Sequence, residues 1–280
     1  MSNDTITYIE SKQKLFSIDF RELIRYRDLI FLFVKRDLVN SYKQTILGPI
    51  WILINPLLST SVFTVIFGVI AGISTDGVPP FLFYMSGNVL WNFFSANLNK
   101  GSGTFLSNAR IFGKVYFPRL VMPIANMVFN FINFGLQTLL YVLFVVIFAL
   151  SGAEVHPNWL IVLTPVLVLQ TALLGMGIGL IVSSITTKYR DLNILVNFGI
   201  SLLMYITPVV YPISEAPLGL GTMLLLNPVA PIVETYRYAF LGCGAFHWVY
   251  WLLSLGVTAL FVLIGLLIFH KVEKDYIDTV

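Results

Sequence analysis

Six stretches of this chain contain no Asp, Glu, Lys or Arg: residues 46–75, 77–99, 120–153, 155–187, 192–214 and 238–270. A helix rises about 1.5 Å per residue, so about 20 apolar residues cross a hydrocarbon core of about 30 Å. Each stretch holds one such helix, and none is comfortably long enough for two. The expected spans are approximately 50–73, 80–99, 120–150, 159–184, 192–212 and 247–270. Only 11% of the 280 residues are charged and 57% are hydrophobic, whereas soluble domains carry about 25% charged residues. Such a chain cannot cover a water-facing surface, and lipid is its expected solvent. The expected fold class is an all-α polytopic membrane protein with six transmembrane helices.

The cations orient these spans. Of the 17 Lys and Arg residues, all but Arg237 fall before residue 46, between spans two and three, between spans four and five, or after span six. The other connections carry Asp76, Glu154, Glu215, Glu234 and Arg237. Basic flanks stay on the cytoplasmic side, so both termini are expected there. Residues 1–28 are polar and charged without the apolar core of a secretory signal, and insertion is expected to rely on the first internal span.

A seventh uncharged interval, 216–233, contains Pro217, Pro228, Pro231, Gly219 and Gly221. Proline breaks a helix interior. Two short external helices with a break near Asn227 and Pro228 are expected across 216–240. Irregular backbone at membrane depth needs protein or water around it, so this re-entrant segment should pack on other spans or border a water-filled path.

Two basic segments are not spans. Residues 17–45 read as an amphipathic helix at the inner surface, capped by Asp19 with Glu22 three residues on. Its Phe20, Leu23, Ile24, Ile30, Phe31, Val34 and Leu38 alternate with Arg21, Arg25, Arg27, Lys35 and Arg36. Such a helix buries its apolar face at the headgroups while its cations meet anionic lipid; the alternative is a basic tail that only sets topology. The link 105–118 mixes cations with exposed-looking Ile111, Phe112, Tyr116 and Phe117, and a short helix ending near Gly113 is expected. Aromatic residues on such a loop form an apolar patch unless a partner covers them. Docking of a cytoplasmic protein and anchoring at the headgroups both fit.

The chain lacks the chemistry of an engine. It has no GxxxxGK[ST] phosphate loop, no GxSxG or HExxH pattern and no CxxC pair; Cys243 is its one cysteine, and its three histidines are far apart. No carboxylate pair lies in a span, which weakens a hydrolase or ion-coupled pump. No metal, bound cofactor or nucleic-acid partner is expected, and the driving energy must come from another protein. Asn126, Asn130, Asn133 and Gln137 recur at helical spacing on one face of span three. They suit a hydrogen-bonding path for sugar hydroxyls, or glue between helices. Glu234 and Arg237, three apart, pair as a structural fastening or, with Tyr238, as an external gate.

Three runs carry a family resemblance. VKRDLVNSYKQTILGPIWILINP (34–56), NARIFGKVYFPRLVMPIA (108–125) and NPVAPIVETYRYAFLG (227–242) resemble permease subunits of ABC-2 type polysaccharide exporters. The chain looks like the permease subunit of O-antigen exporters, which is related to permeases for capsule and teichoic acid. The resemblance implies a permease homodimer in the bacterial inner membrane, with a separate ATPase subunit that binds ATP and Mg. It also implies an undecaprenyl-diphosphate-linked glycan passing between the two permeases. Asn108, Arg110, Ile111, Phe112, Gly113, Lys114, Tyr116 and Phe117 would then enter a groove of the ATPase, and the external helices would form a gate. Arg25, Arg27, Lys35, Arg36 and Lys43 are placed to meet the diphosphate. Trp51, Phe63, Phe67 and Tyr205 would line the channel or serve as lipid-facing or core residues. The implied domains are a tail and interface helix over 1–45, a transmembrane domain over 46–270 and a tail over 271–280. Export of lipids or drugs is the alternative within the family. Outside it stand a polyprenyl-lipid transferase, a passive channel and a scaffold.

Overall fold

The computed structural model describes residues 20–43, 48–187, 189, 191–216 and 220–277, and among them there is helix and no strand. The order is α1 Phe20–Arg25, α2 Arg27–Lys43, α3 Trp51–Phe63 continuing as a π-helix over Thr64–Ile70, α4 Pro80–Ser102, α5 Thr104–Phe112 and α6 Val121–Leu150. A 3-10 turn Trp159–Leu163 leads into α7 Thr164–Thr186, followed by α8 Leu192–Ile206, α9 Leu220–Leu225, α10 Val229–Leu241 and α11 Trp248–Ile277.

Four runs are long and apolar enough to cross a bilayer: Trp51–Ile70, Val121–Leu150, Trp159–Thr186 and Trp248–Glu273. The chain is therefore built as a multi-pass membrane protein. The other two expected spans differ for identifiable reasons. Helix α4 has 23 residues, but Ser86, Asn88, Asn92, Ser95, Asn97 and Lys100 dilute its apolar character. Helix α8 has 15 residues instead of the expected 192–212, about 22 Å of rise. It stops because Thr207 turns extended, at φ −91° and ψ 139°, ahead of Pro208, whose ring disfavours helical backbone at the preceding residue. Helix α11 runs past the expected boundary at 270 to Ile277.

Helices α4 and α7 form the centre. Apolar burial drives little helix association in lipid, so close backbone contact has to hold spans together. Residues 175–179 read GMGIG and supply it on two faces. A Cβ at Gly175 would lie 2.7 Å from the Phe94 carbonyl oxygen, and one at Gly179 2.8 Å from that of Leu98, both on α4. A Cβ on the intervening Gly177 would lie 2.9 Å from the Val262 nitrogen of α11. Around this spine Leu82, Phe83, Phe94, Tyr141, Leu167 and Tyr236 join α4, α6, α7 and α10 in one core.

A second core at the basic end, of Phe33, Val34, Phe117, Val121, Met122 and Ala125, seats α2 on the start of α6. The single helix expected over 17–45 is broken by a turn at Tyr26; its expected cap, Asp19, lies outside the described residues. Phe33 and Val34 are buried, whereas Phe31 and Leu32 remain 64% and 60% exposed. Apolar side chains thus point both into the protein and away from it. The break expected near Asn227 and Pro228 separates α9 from α10. Pro231 falls in the first turn of α10, where backbone N–H groups lack helical partners in any case. Pro217 and Gly219 lie outside the described residues.

Candidate functional site

The link at the basic end sorts its side chains cleanly. Helix α5 ends on Gly113, whose N–H donates to the Ala109 carbonyl. Arg110, Gly113, Lys114 and Tyr116 are exposed, Tyr116 at 78%, and Val115 lies beside them. Ile111 and Phe112 are half-buried, and Asn108 and Phe117 are buried. Asn108 Nδ2 donates back to the Thr104 carbonyl at 2.9 Å. Phe117 lies 5.7 Å from Phe33 and 5.7 Å from Phe112, between ring centroids. Phe112 lies 6.2 Å from Phe105, which stacks on Phe269 at 4.6 Å. The expectation that Ile111, Phe112, Tyr116 and Phe117 all face water is therefore corrected. Phe105 and Phe112 are seven apart, two helical turns, so they share the inward face. Tyr116 alone of the four is displayed.

Among the basic residues singled out on the N-terminal helices, Arg25, Arg27, Lys35 and Lys43 are exposed. Arg27 approaches Asp28 at 3.8 Å on the surface, an arrangement that contributes little. Arg36 is held by Asp37 at 2.8 Å. Asp37 also lies 3.9 Å from Lys100 Nζ, which sits 3.4 Å from the centroid of the Phe129 ring. Arg36 thus belongs to a cluster that ties α2 to the ends of α4 and α6.

A polar seam joins α3, α4 and α6. Pro56 lies inside α3 and lacks the N–H that would bond the Ile52 carbonyl. Gln137 Nε2 of α6 donates to that carbonyl at 3.5 Å, so a neighbouring helix satisfies the freed group. Asn88 Nδ2 reaches Ser59 Oγ at 2.6 Å, Thr60 Oγ1 at 3.3 Å and the Pro56 carbonyl at 3.4 Å. Asn130 Nδ2 donates to Asn97 Oδ1 at 3.2 Å. Of the expected stripe, Asn130 and Gln137 therefore hold helices together. Asn133 Oδ1 is buried with no hydrogen-bond partner among the described residues, and Asn126 is half-buried. Phe63 and Phe67 pack edge-to-face at 5.8 Å against the main core. Trp51 and Tyr205 are 53% and 63% exposed and point out of the helix assembly.

Near the other end, Arg237 is wholly buried. Its Nη1 donates to Glu234 Oε1 at 2.9 Å, Nη2 to the Val209 carbonyl at 3.1 Å and Nε to Ser86 Oγ at 3.4 Å. Its Cζ lies 3.7 Å from the Phe83 ring centroid. A Cβ at Gly87 would come within 2.8 Å of the Val209 carbonyl oxygen and 2.9 Å of Arg237 Nη2. Glycine at 87 leaves room for the guanidinium. The network knits α4, the extended residues after α8, and α10. Half-buried Tyr238 accepts from Asn158 Nδ2 through its carbonyl at 2.8 Å. Of the two readings of Glu234 and Arg237, this enclosure favours a fastening.

The residues that complete these sites, Ser86, Gly87, Val209 and Asp37, stand out in no local motif. Ser86 and the Val209 carbonyl reach Arg237 from 151 and 28 residues away, and Asp37 reaches Lys100 on another helix. The run GMGIG is a local signal for the α4–α7–α11 packing, since small residues at short spacing mark close helix contacts.

A family profile described as ABC-2 type transporter matches residues 28–241. An O-antigen export system permease protein RfbA of Klebsiella pneumoniae is 26% identical over 251 residues, covering 90% of this chain and 94% of the relative. A protein of the same description from Myxococcus xanthus is 30% identical over 223 residues, covering 79% and 83%. The polysialic acid transport protein KpsM of Escherichia coli is 25% identical over 239 residues, covering 83% and 87%.

Proposed function

Because the chain belongs to the ABC-2 type transporter family, we propose that it is the membrane-spanning permease of an ATP-driven exporter in the bacterial inner membrane. The cargo is an undecaprenyl-diphosphate-linked polysaccharide, O-antigen first. Relatives described as O-antigen export permeases support this cargo, and a polysialic acid transport relative keeps capsular polymers in the same class. The chain contributes no catalytic site; a separate subunit binds ATP and Mg. Two copies of the permease and two of the ATPase make the working unit, and the glycan passes between the permeases.

In this reading α4 and α8 join the four long apolar runs as spans, with the extended residues after Ile206 completing the crossing of α8. The basic end faces the cytoplasm, because cations are retained on that side. Exposed Arg25, Arg27, Lys35 and Lys43 then border the inner headgroups, where they meet the lipid diphosphate. Helices α9 and α10 dip into the outer leaflet.

The observation that carries the proposal is the exposed strip Arg110, Lys114, Val115 and Tyr116, set on a link whose other aromatic side chains turn inward. A tyrosine and a valine held at the surface by a packed base form a docking edge. The test is reconstitution with the ATPase subunit of the same transporter. The permease alone should hydrolyse no ATP, and the pair in proteoliposomes should hydrolyse it and move lipid-linked polysaccharide. Nucleotide-independent flux through the permease alone would reject the proposal in favour of a channel.

A further inference from the structure

At the basic end, five side chains close a circuit between the link and the last helix. The Arg119 guanidinium lies 5.5 Å from the Phe112 ring centroid. Phe112 packs on Phe105, and Phe105 stacks on Phe269 with an interplanar angle of 24°. Phe269 and Glu273 are four apart on α11 and so share a face. Glu273 closes the circuit: its Oε1 accepts the Arg119 backbone N–H at 3.0 Å, and its carbonyl accepts Arg119 Nη1 at 3.0 Å. Its other oxygen, Oε2, lies 3.2 Å from His270 Nδ1. The Phe105 N–H also reaches Ser183 Oγ at the end of α7, at 3.3 Å.

We infer that Glu273 is a positioning residue that locks α5 and the link after it to the end of α11, so that motion imposed on the link is carried into the last span. A carboxylate that accepts a backbone N–H on a half-buried helix end makes a charge-assisted bond, about twice as strong as a neutral one. The aromatic stack fixes spacing but allows sliding, whereas the paired contacts to Arg119 fix both distance and angle. Breaking the clamp would leave the docking strip intact, because Arg110, Lys114 and Tyr116 take no part in the circuit. The inference rests on the reading of that strip as the ATPase contact.

The test uses the permease–ATPase complex in proteoliposomes, comparing Glu273→Leu with Glu273→Gln, which keeps the acceptor for the Arg119 N–H. The Leu variant should co-purify with the ATPase at the parent stoichiometry, while polysaccharide exported per ATP hydrolysed falls about fivefold or more, the scale of an ordinary coupling free energy. The Gln variant should stay within about twofold of the parent, since it forfeits the charge but keeps the geometry. Parent export per ATP in the Leu variant overturns the inference. Failure of the parent permease to bind the ATPase counts against the docking strip instead.

A second measurement needs no ATPase. Spin labels at exposed Lys114 and Lys271, in a background with Cys243→Ser, should give one narrow distance in the parent and a broadened distribution with Glu273→Leu. An unchanged distribution overturns the clamp. Should Glu273→Leu fail to accumulate, Arg119→Lys, which loses the forked guanidinium, is expected to broaden the same distance, and a parent-like distribution is again the contrary result.

Discussion

Arg237 Nη1 lies 2.9 Å from Glu234 Oε1, and neither side chain reaches solvent to any useful extent. Removing one member of such a pair leaves an uncompensated buried charge, at a cost of about 3–5 kcal/mol. Arg237→Met should therefore lower the thermal midpoint of the purified protein in detergent markedly. The double variant Glu234→Met with Arg237→Met should lose less than the two single losses combined, because it buries no lone charge. Additive losses would show that the two side chains act independently.

Gln137 satisfies the Ile52 carbonyl that Pro56 leaves open. Hydrogen bonds between membrane helices contribute about 0.6 kcal/mol on average and up to about 1.7. Gln137→Leu should destabilise the protein within that range, and Pro56→Ala in the same background should recover the loss by restoring the helical donor. Denaturant titration of the parent, the single variant and the double variant checks both; no recovery in the double variant removes the assigned role.

The close passage of α7 along α4 leaves no room for a methyl group at Gly175. Gly175→Ala pushes a Cβ into backbone, and overpacking of this kind costs about 1–3 kcal/mol. Gly199→Ala, on the open side of α8 where nothing lies within 4 Å, should be neutral or slightly stabilising. Thermal midpoints of the two variants give the comparison, and equal midpoints would refute the packing.

Some of this architecture can be read along the chain and some cannot. Absence of charge marks where lipid surrounds a helix, so the uncharged interval 120–153 encloses Val121–Leu150 with little to spare. The same rule overestimates α8, because Thr207 and Pro208 end the helix by backbone sterics while the apolar run continues. It overlooks the central place of α4, whose Asn88 and Asn97 bond to α3 and α6. At the link, composition correctly marks a patch of aromatic residues near cations but not which of them turn inward. That depends on Phe33, Phe105 and Phe269, which lie on other helices or earlier turns. The Arg237 site is the extreme case. Its neighbour Glu234 is apparent at a spacing of three, whereas Ser86 and the Val209 carbonyl come from segments that only the fold brings together.

Side chains at the link divide between partner binding and stability. Tyr116→Glu should weaken ATPase binding at least about tenfold, as expected for loss of an aromatic anchor at an interface, and leave the permease's own thermal midpoint unchanged. Phe117→Glu places a charge in the core shared with Phe33 and should lower that midpoint directly. Co-purification and thermal unfolding, measured on both variants, separate the two effects.

The most direct test is photo-cross-linking from position 116 in cells that make both the permease and its ATPase. A photoreactive residue in place of Tyr116 should yield a permease–ATPase adduct, and the same residue in place of Asp76, at the opposite end of the helices, should yield none. An adduct from position 76 with none from position 116 would contradict the claim that the energy for export enters through this link.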